Sequence, residues 1–471
     1  MTNSASSKQA KPLNAPLVAG ILLFGAFISF LNETSLTTAL PSIMKELHIS
    51  APTAQWLTTA FMLTTGIMIP MTAFLIERFS TRAIFFISMG FFTVGTFLGA
   101  IAPNFGVLLS ARVIQAIGAG IILPLIQTVF MSIFPQEKRG FVMGILGVVI
   151  SFAPAIGPTL SGWIIQSHPW RDIFYIVLPV AILDLLIAFF ALQNVKEHKK
   201  VSLDVISVIL SALAFGGLLL GFSNGGNDGW TNFTDVLLPL IVGVIALIFF
   251  TIRQLRLETP LLDLRVFKNN TYTFATIIIM IAFAGFISSE LIVPMYIQEA
   301  RGYSAFDSGL ILMPGALLMA IMSPITGKLF DIVGGRVLAI TGLALLTIGT
   351  GAFMFLTATT SIYLVSGIFA FRLLGISIFM MPSITITLNA LKGPQISHGA
   401  AINSTLRQIA GSLGTSILIT VMTEAAKNSG ARTPQLALIH GVNTTFVVST
   451  AATVIALLLA IFILKDTKKK A

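Results

Sequence analysis

The stretch "GKLFDIVGGR", residues 327–336, decides how the chain is organised, because a near copy, "AFLIERFSTR", occupies residues 73–82. Both read small-x-Leu-x-acid-x-x-small-x-basic, with Asp331 and Glu77 as the acids and Arg336 and Arg82 as the last residues. Each follows an apolar run of about 20 residues, enough to cross the hydrocarbon of a bilayer. One such charged turn would only stop a span from sliding onward. Two at corresponding places indicate a helical membrane bundle made of two related halves.

Working outward from these turns, further apolar runs lie near residues 17–40, 55–76, 83–102, 107–130, 141–164, 173–193, 203–223, 236–252, 272–297, 308–329, 337–357, 361–388, 399–423 and 444–464. That predicts fourteen spans with both chain ends on one side. The composition agrees: 55% of the 471 residues are hydrophobic and 10% charged, against about 25% charged in soluble domains. With the N-terminus placed in the cytoplasm, twenty lysines and arginines fall on that side and five on the other. This is the asymmetry expected of cytoplasmic loops. The other three, Arg112, Arg372 and Arg407, fall inside spans. Trp56, Trp163, Trp170 and Trp230 all fall at outer span ends or in outer loops, the place of interfacial anchors. The first apolar run is too long for a signal-peptide core and is read as a retained span.

Several function classes drop out. With no cysteine there is no disulfide, thiolate metal site or cysteine nucleophile. The net charge of +10 is spent on one membrane face, leaving no basic groove for nucleic acid. The five histidines lie in loops or at span ends without metal-ligand spacing, and no phosphate-binding loop or HExxH helix is present. No metal, no cofactor and no enzymatic activity are expected.

The first span carries the most telling polar stretch, "FLNETSLTTALPSI", residues 30–43. Ser29, Asn32, Glu33 and Thr37 share an arc of about 140°, so this face looks into the bundle or a wet cavity rather than lipid. Arg112 of the fourth span lies at a similar depth. Only Asp184 and Glu290 add carboxylates well inside spans, and Glu290 shares a face with Phe283 and Phe286. Intramembrane acids usually serve transport or proton movement. The plainer reading makes Glu33 a structural ion pair with Arg112 and Glu290 a helix–helix hydrogen bond. In the fifth span Gly140, Gly144, Gly147, Ser151, Pro154 and Pro158 form one small-residue stripe, which lets another helix approach closely.

Together these motifs resemble the major facilitator superfamily, in its fourteen-helix drug:proton antiporter branch of EmrB/QacA type. The resemblance rests on "LNETSLTTALP" (31–41), the turn with Gly327, Asp331, Gly334 and Arg336, "RVIQAIGAG" (112–120), "APAIGPTLSGW" (153–163) and "WRDIFYIVLP" (170–179). It departs from the family in having Asn32 followed by Glu33 where the acid usually comes one position earlier. Ala73 and Ser80 also replace glycines, and Glu77 an aspartate, in the first turn. The resemblance implies an all-α membrane fold of two six-helix bundles, residues 17–200 and 257–464. An inserted helix pair spans 201–256, and the tails, 1–16 and 465–471, are cytoplasmic.

It further implies proton-coupled export of amphipathic, often cationic, compounds across the cell membrane by a monomer that needs only the proton gradient. The same machinery exporting one metabolite or lipid is the alternative, and a membrane enzyme the distant one. On this reading Glu33, Arg112 and Asp184 couple protons, while Asn32, Glu33, Gln115, Phe283, Phe286 and Glu290 meet substrate. Glu77, Arg78, Arg82, Asp331, Arg336, Pro154, Gly157 and Pro158 gate, and Arg372 and Arg407 are structural or gating residues.

Overall fold

Serine, threonine and asparagine side chains start many of the helices by accepting a first-turn N–H, each worth about 1 kcal/mol. Ser50, Ser80 and Asn104 do so in turn, and Ser304 forms a reciprocal capping box with Asp307. The computed structural model describes residues 14–195 and 203–464. Fourteen of its helices are long and apolar enough to cross a membrane. They are α1 (Ala15–Leu47), α2 (Ala51–Arg78), α3 (Thr81–Ala100), α4 (Phe105–Ile133), α5 (Arg139–Ser167), α6 (Asp172–Ala191) and α7 (Val205–Asp228). Then follow α8 (Leu238–Arg256), α9 (Asn270–Met295), α10 (Ala305–Val333), α11 (Gly335–Ala352), α12 (Ile362–Asn389), α13 (Gln395–Lys427) and α14 (Pro434–Ile463).

Every expected span is there, but several helices outrun it. The first span was expected to end near 40, before Pro41, yet α1 continues through that proline to Leu47. It stops where His48 takes a left-handed φ of 53°. A proline removes one helical N–H and bends the axis, which a bundle tolerates when neighbours pack around it. Similarly, α14 starts at Pro434, ten residues before the expected 444, because the Thr433 side chain caps it there by accepting from the Leu436 N–H.

The two-fold design shows in the pairing of helices. Helices α1 to α6 pack as α1 on α5, α2 on α4, α3 on α4 and α3 on α6; α9 to α14 repeat this as α9 on α13, α10 on α12, α11 on α12 and α11 on α14. The correspondence reaches single residues. A Cβ on Gly118 of α4 would lie 2.2 Å from the Ser88 carbonyl of α3, and one on Gly375 of α12 would lie 2.5 Å from the Leu346 nitrogen of α11. Gln115 donates to Thr96 at 2.8 Å, and Arg372 donates to Thr350 at 3.2 Å from the matching place. The halves meet as α5 on α10 and α2 on α13.

Helices α7 and α8 pack on each other, and α7 lies along α2 and α13. The Arg253 guanidinium at the end of α8 holds Asp204, just before α7, through two bonds of 2.7 and 2.9 Å. Most of the expected tails, and Lys196, Lys199 and Lys200, lie outside the described residues. Of the tryptophans, Trp56 and Trp163 are exposed, as interfacial anchors are. Trp170 is not: it is buried at 2%, edge-on to Phe174, with Arg171 stacked 4.2 Å over its ring.

Candidate functional site

Three features set the site: a buried arginine network in the first half, a cavity between the halves, and a closed contact on the face carrying the chain ends.

Arg112 is 1% exposed on α4. It donates from Nη1 to Asn32 Oδ1 at 3.1 Å and to Gln115 Oε1 at 2.9 Å, and lies 4.1 Å over the Phe61 ring. A desolvated contact of that last kind is worth about 2 kcal/mol. Glu33 does not pair with it: among the described residues no carboxylate lies within 4.0 Å of Arg112. The reason is helical geometry. Adjacent positions on α1 differ by about 100°, so when Asn32 faces α4 its neighbour Glu33 is turned elsewhere. Asn32 and Gln115, expected to meet substrate, are both 0% exposed and engaged with this arginine.

Glu33 looks instead into a cavity of about 120 Å³ between the halves, lined also by Ser29, Thr65, Phe283, Ser404 and Arg407. Phe283 therefore joins Glu33 as expected. Phe286 packs near Phe283, ring centres 6.1 Å apart, without lining this cavity. Glu290, one helical turn and more beyond, is exposed and outside it as well. Asp184 lies elsewhere: it is 1% exposed on the buried stripe of α6, its carboxylate against Gly25 of α1. Arg407, read as structural or gating, lines the cavity.

The closed contact is made by backbone. A Cβ on Gly140 of α5 would lie 2.5 Å from the Gly327 carbonyl of α10, and one on Gly144 2.5 Å from that of Ser323. The two helices touch only because these residues have no side chain. Further along α5 the small-residue stripe changes partner. Gly157 lies against Thr34 of α1 in its own half, and Pro158 is exposed. The side chain of Pro154 is outside the described residues.

Asp331 caps the start of α5, accepting from the Gly140 and Phe141 N–H groups at 2.9 Å each. Its counterpart Glu77 reaches His398 Nε2 of α13 at 3.3 Å. Arg139 donates across the halves to Asn389 at 2.7 Å. Arg82 and Arg336, expected to gate, each make a bond within their own half: Arg82 donates to the Phe189 carbonyl and Arg336 to the Ile461 carbonyl, each at 2.8 Å. Arg78 stacks on Phe79.

Arg139 and His398, which make contacts between the halves, are not among the site residues expected from the sequence, yet the sequence carries a signal. "PQEKRG" (135–140) and "PQISHG" (394–399) are a second repeated pair, and the two basic residues occupy the same place in it.

Two repeated six-helix halves around a charged cavity define a multi-pass membrane transporter rather than an enzyme. The chain belongs to the Major Facilitator Superfamily, whose family model matches residues 22–415, and it is of the fourteen-helix type. It is 49% identical over 466 residues to the uncharacterized MFS-type transporter YcnB of Bacillus subtilis, covering 99% of this chain and 98% of that one. It is 41% identical over 472 residues to the lincomycin resistance protein LmrB of the same organism, covering 98% of each. Among solved structures, the human organic anion transporter MFSD10 superposes with a TM-score of 0.69 at 13% identity, over 95% of this chain and all of that one. That last likeness is one of fold alone.

Proposed function

We propose that this chain is a proton-coupled antiporter that exports amphipathic drugs or other toxic compounds from the cell by alternating access. The observation that carries the reading is Glu33, a carboxylate that makes no ion pair within 4.0 Å among the described residues and lines the cavity between the halves. A group so placed can exchange a proton with one side and then the other as the halves rock. The similarity to a lincomycin resistance protein supports drug export. The face with the chain ends is taken as cytoplasmic on the lysine and arginine asymmetry. The contacts of Gly140 with Gly327 and of Asp331 with α5 then belong to a state closed toward the cytoplasm.

The test is transport in liposomes containing the purified protein, with lincomycin and an amphipathic dye as probes. An imposed proton gradient should drive both without ATP, and an uncoupler should collapse the flux. Flux indifferent to the gradient would overturn the antiport reading.

A further inference from the structure

The three buried arginines are not equivalent. Arg112 holds Asn32 and Gln115, and Arg372 holds Thr350 and the Gly285 carbonyl at 2.9 Å, with only its Nη1 left without a partner. Arg407 is 4% exposed and has far less. Its one hydrogen bond among the described residues runs from Nη2 to Ser404 Oγ at 3.3 Å, and its Nε has no partner. The Phe283 ring lies 5.6 Å away, and among the described residues no carboxylate lies within 4.0 Å. A guanidinium is a flat fork of donors that costs free energy when buried without acceptors. This one lines the central cavity, across which Glu33 is the only carboxylate in the lining among the described residues.

We propose that Arg407 is a substrate-binding residue, and that the cavity takes amphipathic compounds bearing an oxyanion, a carboxylate above all. The oxyanion supplies the acceptors that the protein leaves out, in the geometry a guanidinium binds best. Phe283 offers an aromatic face beside it, and Phe30 and Ile150 apolar walls. Glu33, on the opposite half, suits a positive group on the same molecule, so zwitterions fit the pair better than simple cations. This deepens the export reading and rests on it for direction and energy, but the binding preference stands by itself.

Rhodamine B and its ethyl ester test it, since the two dyes differ in one carboxylate. Binding to the purified full chain is read by fluorescence anisotropy, and proton-driven flux is read in liposomes. The native protein is expected to bind the acid more tightly than the ester by about 10- to 100-fold, the usual worth of a charge-assisted hydrogen bond. Arg407→Gln should remove that preference by weakening the acid alone, and Arg407→Lys should keep part of it. Arg407→Lys also serves if the glutamine variant does not fold, since a point charge without the fork must still rank between native and none. Equal affinity for both dyes in the native protein, or equal weakening of both by either variant, would overturn the proposal. An acid preference without proton-driven flux of either dye would leave this inference standing and remove the antiport reading instead.

Discussion

Arg112 is bound by Asn32 and not by Glu33, although the two residues are neighbours on α1. The helix thus separates two tasks one residue apart: an amide holds the structural cation, and a carboxylate is left facing the cavity.

Stability should divide along the same line. Asn32→Leu takes an acceptor from a buried guanidinium and should cost about 1–3 kcal/mol. Glu33→Gln breaks no hydrogen bond or close ion pair among the described residues and should stay within about 0.5 kcal/mol of native. Thermal unfolding in detergent measures both. A large loss for Glu33→Gln, rescued by Arg112→Gln, would restore the ion pair that the sequence suggested.

Coupling should follow Glu33 as well. Glu33→Gln keeps shape but cannot ionise, so proton-driven accumulation should vanish while downhill exchange of the same substrate persists. Counterflow compared with gradient-driven uptake separates the two.

The Gly140–Gly327 contact should act as the stop on closure. Gly327→Ala places a methyl 2.3 Å from the Gly140 carbonyl, which rigid backbone cannot yield to. The chain has no cysteine, so Ile150→Cys in the cavity lining reports access without background. In the alanine variant this cysteine should react faster with an impermeant maleimide applied from the face of the chain ends. Unchanged labelling would mean that the contact does not limit closure.

Asp331 should tune the same equilibrium more gently. Asp331→Asn keeps one acceptor but loses a full charge at a helix start, about 0.3–2 kcal/mol. The labelling rate should rise less than with Gly327→Ala, and equilibrium substrate affinity should stay within about twofold, less than one good hydrogen bond is worth. A large affinity loss would move Asp331 into the binding site.

The Arg253 guanidinium, followed by Ser207, holds Asp204 down to about 2. A carboxylate lowered in the folded chain adds stability above its unfolded value of about 4, and that gain is lost as pH falls through the folded value. Arg253→Gln should therefore lower the melting temperature slightly and evenly at neutral pH, with the difference fading between about pH 4 and pH 2. A difference that grows in acid would contradict this.

The sequence by itself determined the fourteen spans and the two-fold plan, because hydrocarbon forces long apolar helices and repeated turns survive as repeated letters. It also marked Glu33, Arg112 and Asp331, since a charge within or beside a span is rarely idle. Tertiary structure alone decided partners. Which of Asn32 and Glu33 meets Arg112 depends on a turn of about 100° per residue, finer than any span boundary read from hydropathy. That Gly140 and Gly144 serve the contact between halves while Gly157 serves α1 depends on where α5 leaves α10. That Arg407 lines the cavity with a single hydrogen bond, while Arg372 lies outside that lining and is bonded to Thr350 and Gly285, depends on neighbours from other helices. Such contacts join residues of different helices, 80 positions apart for Asn32 and Arg112 and 87 for Gly285 and Arg372, and no local pattern encodes them.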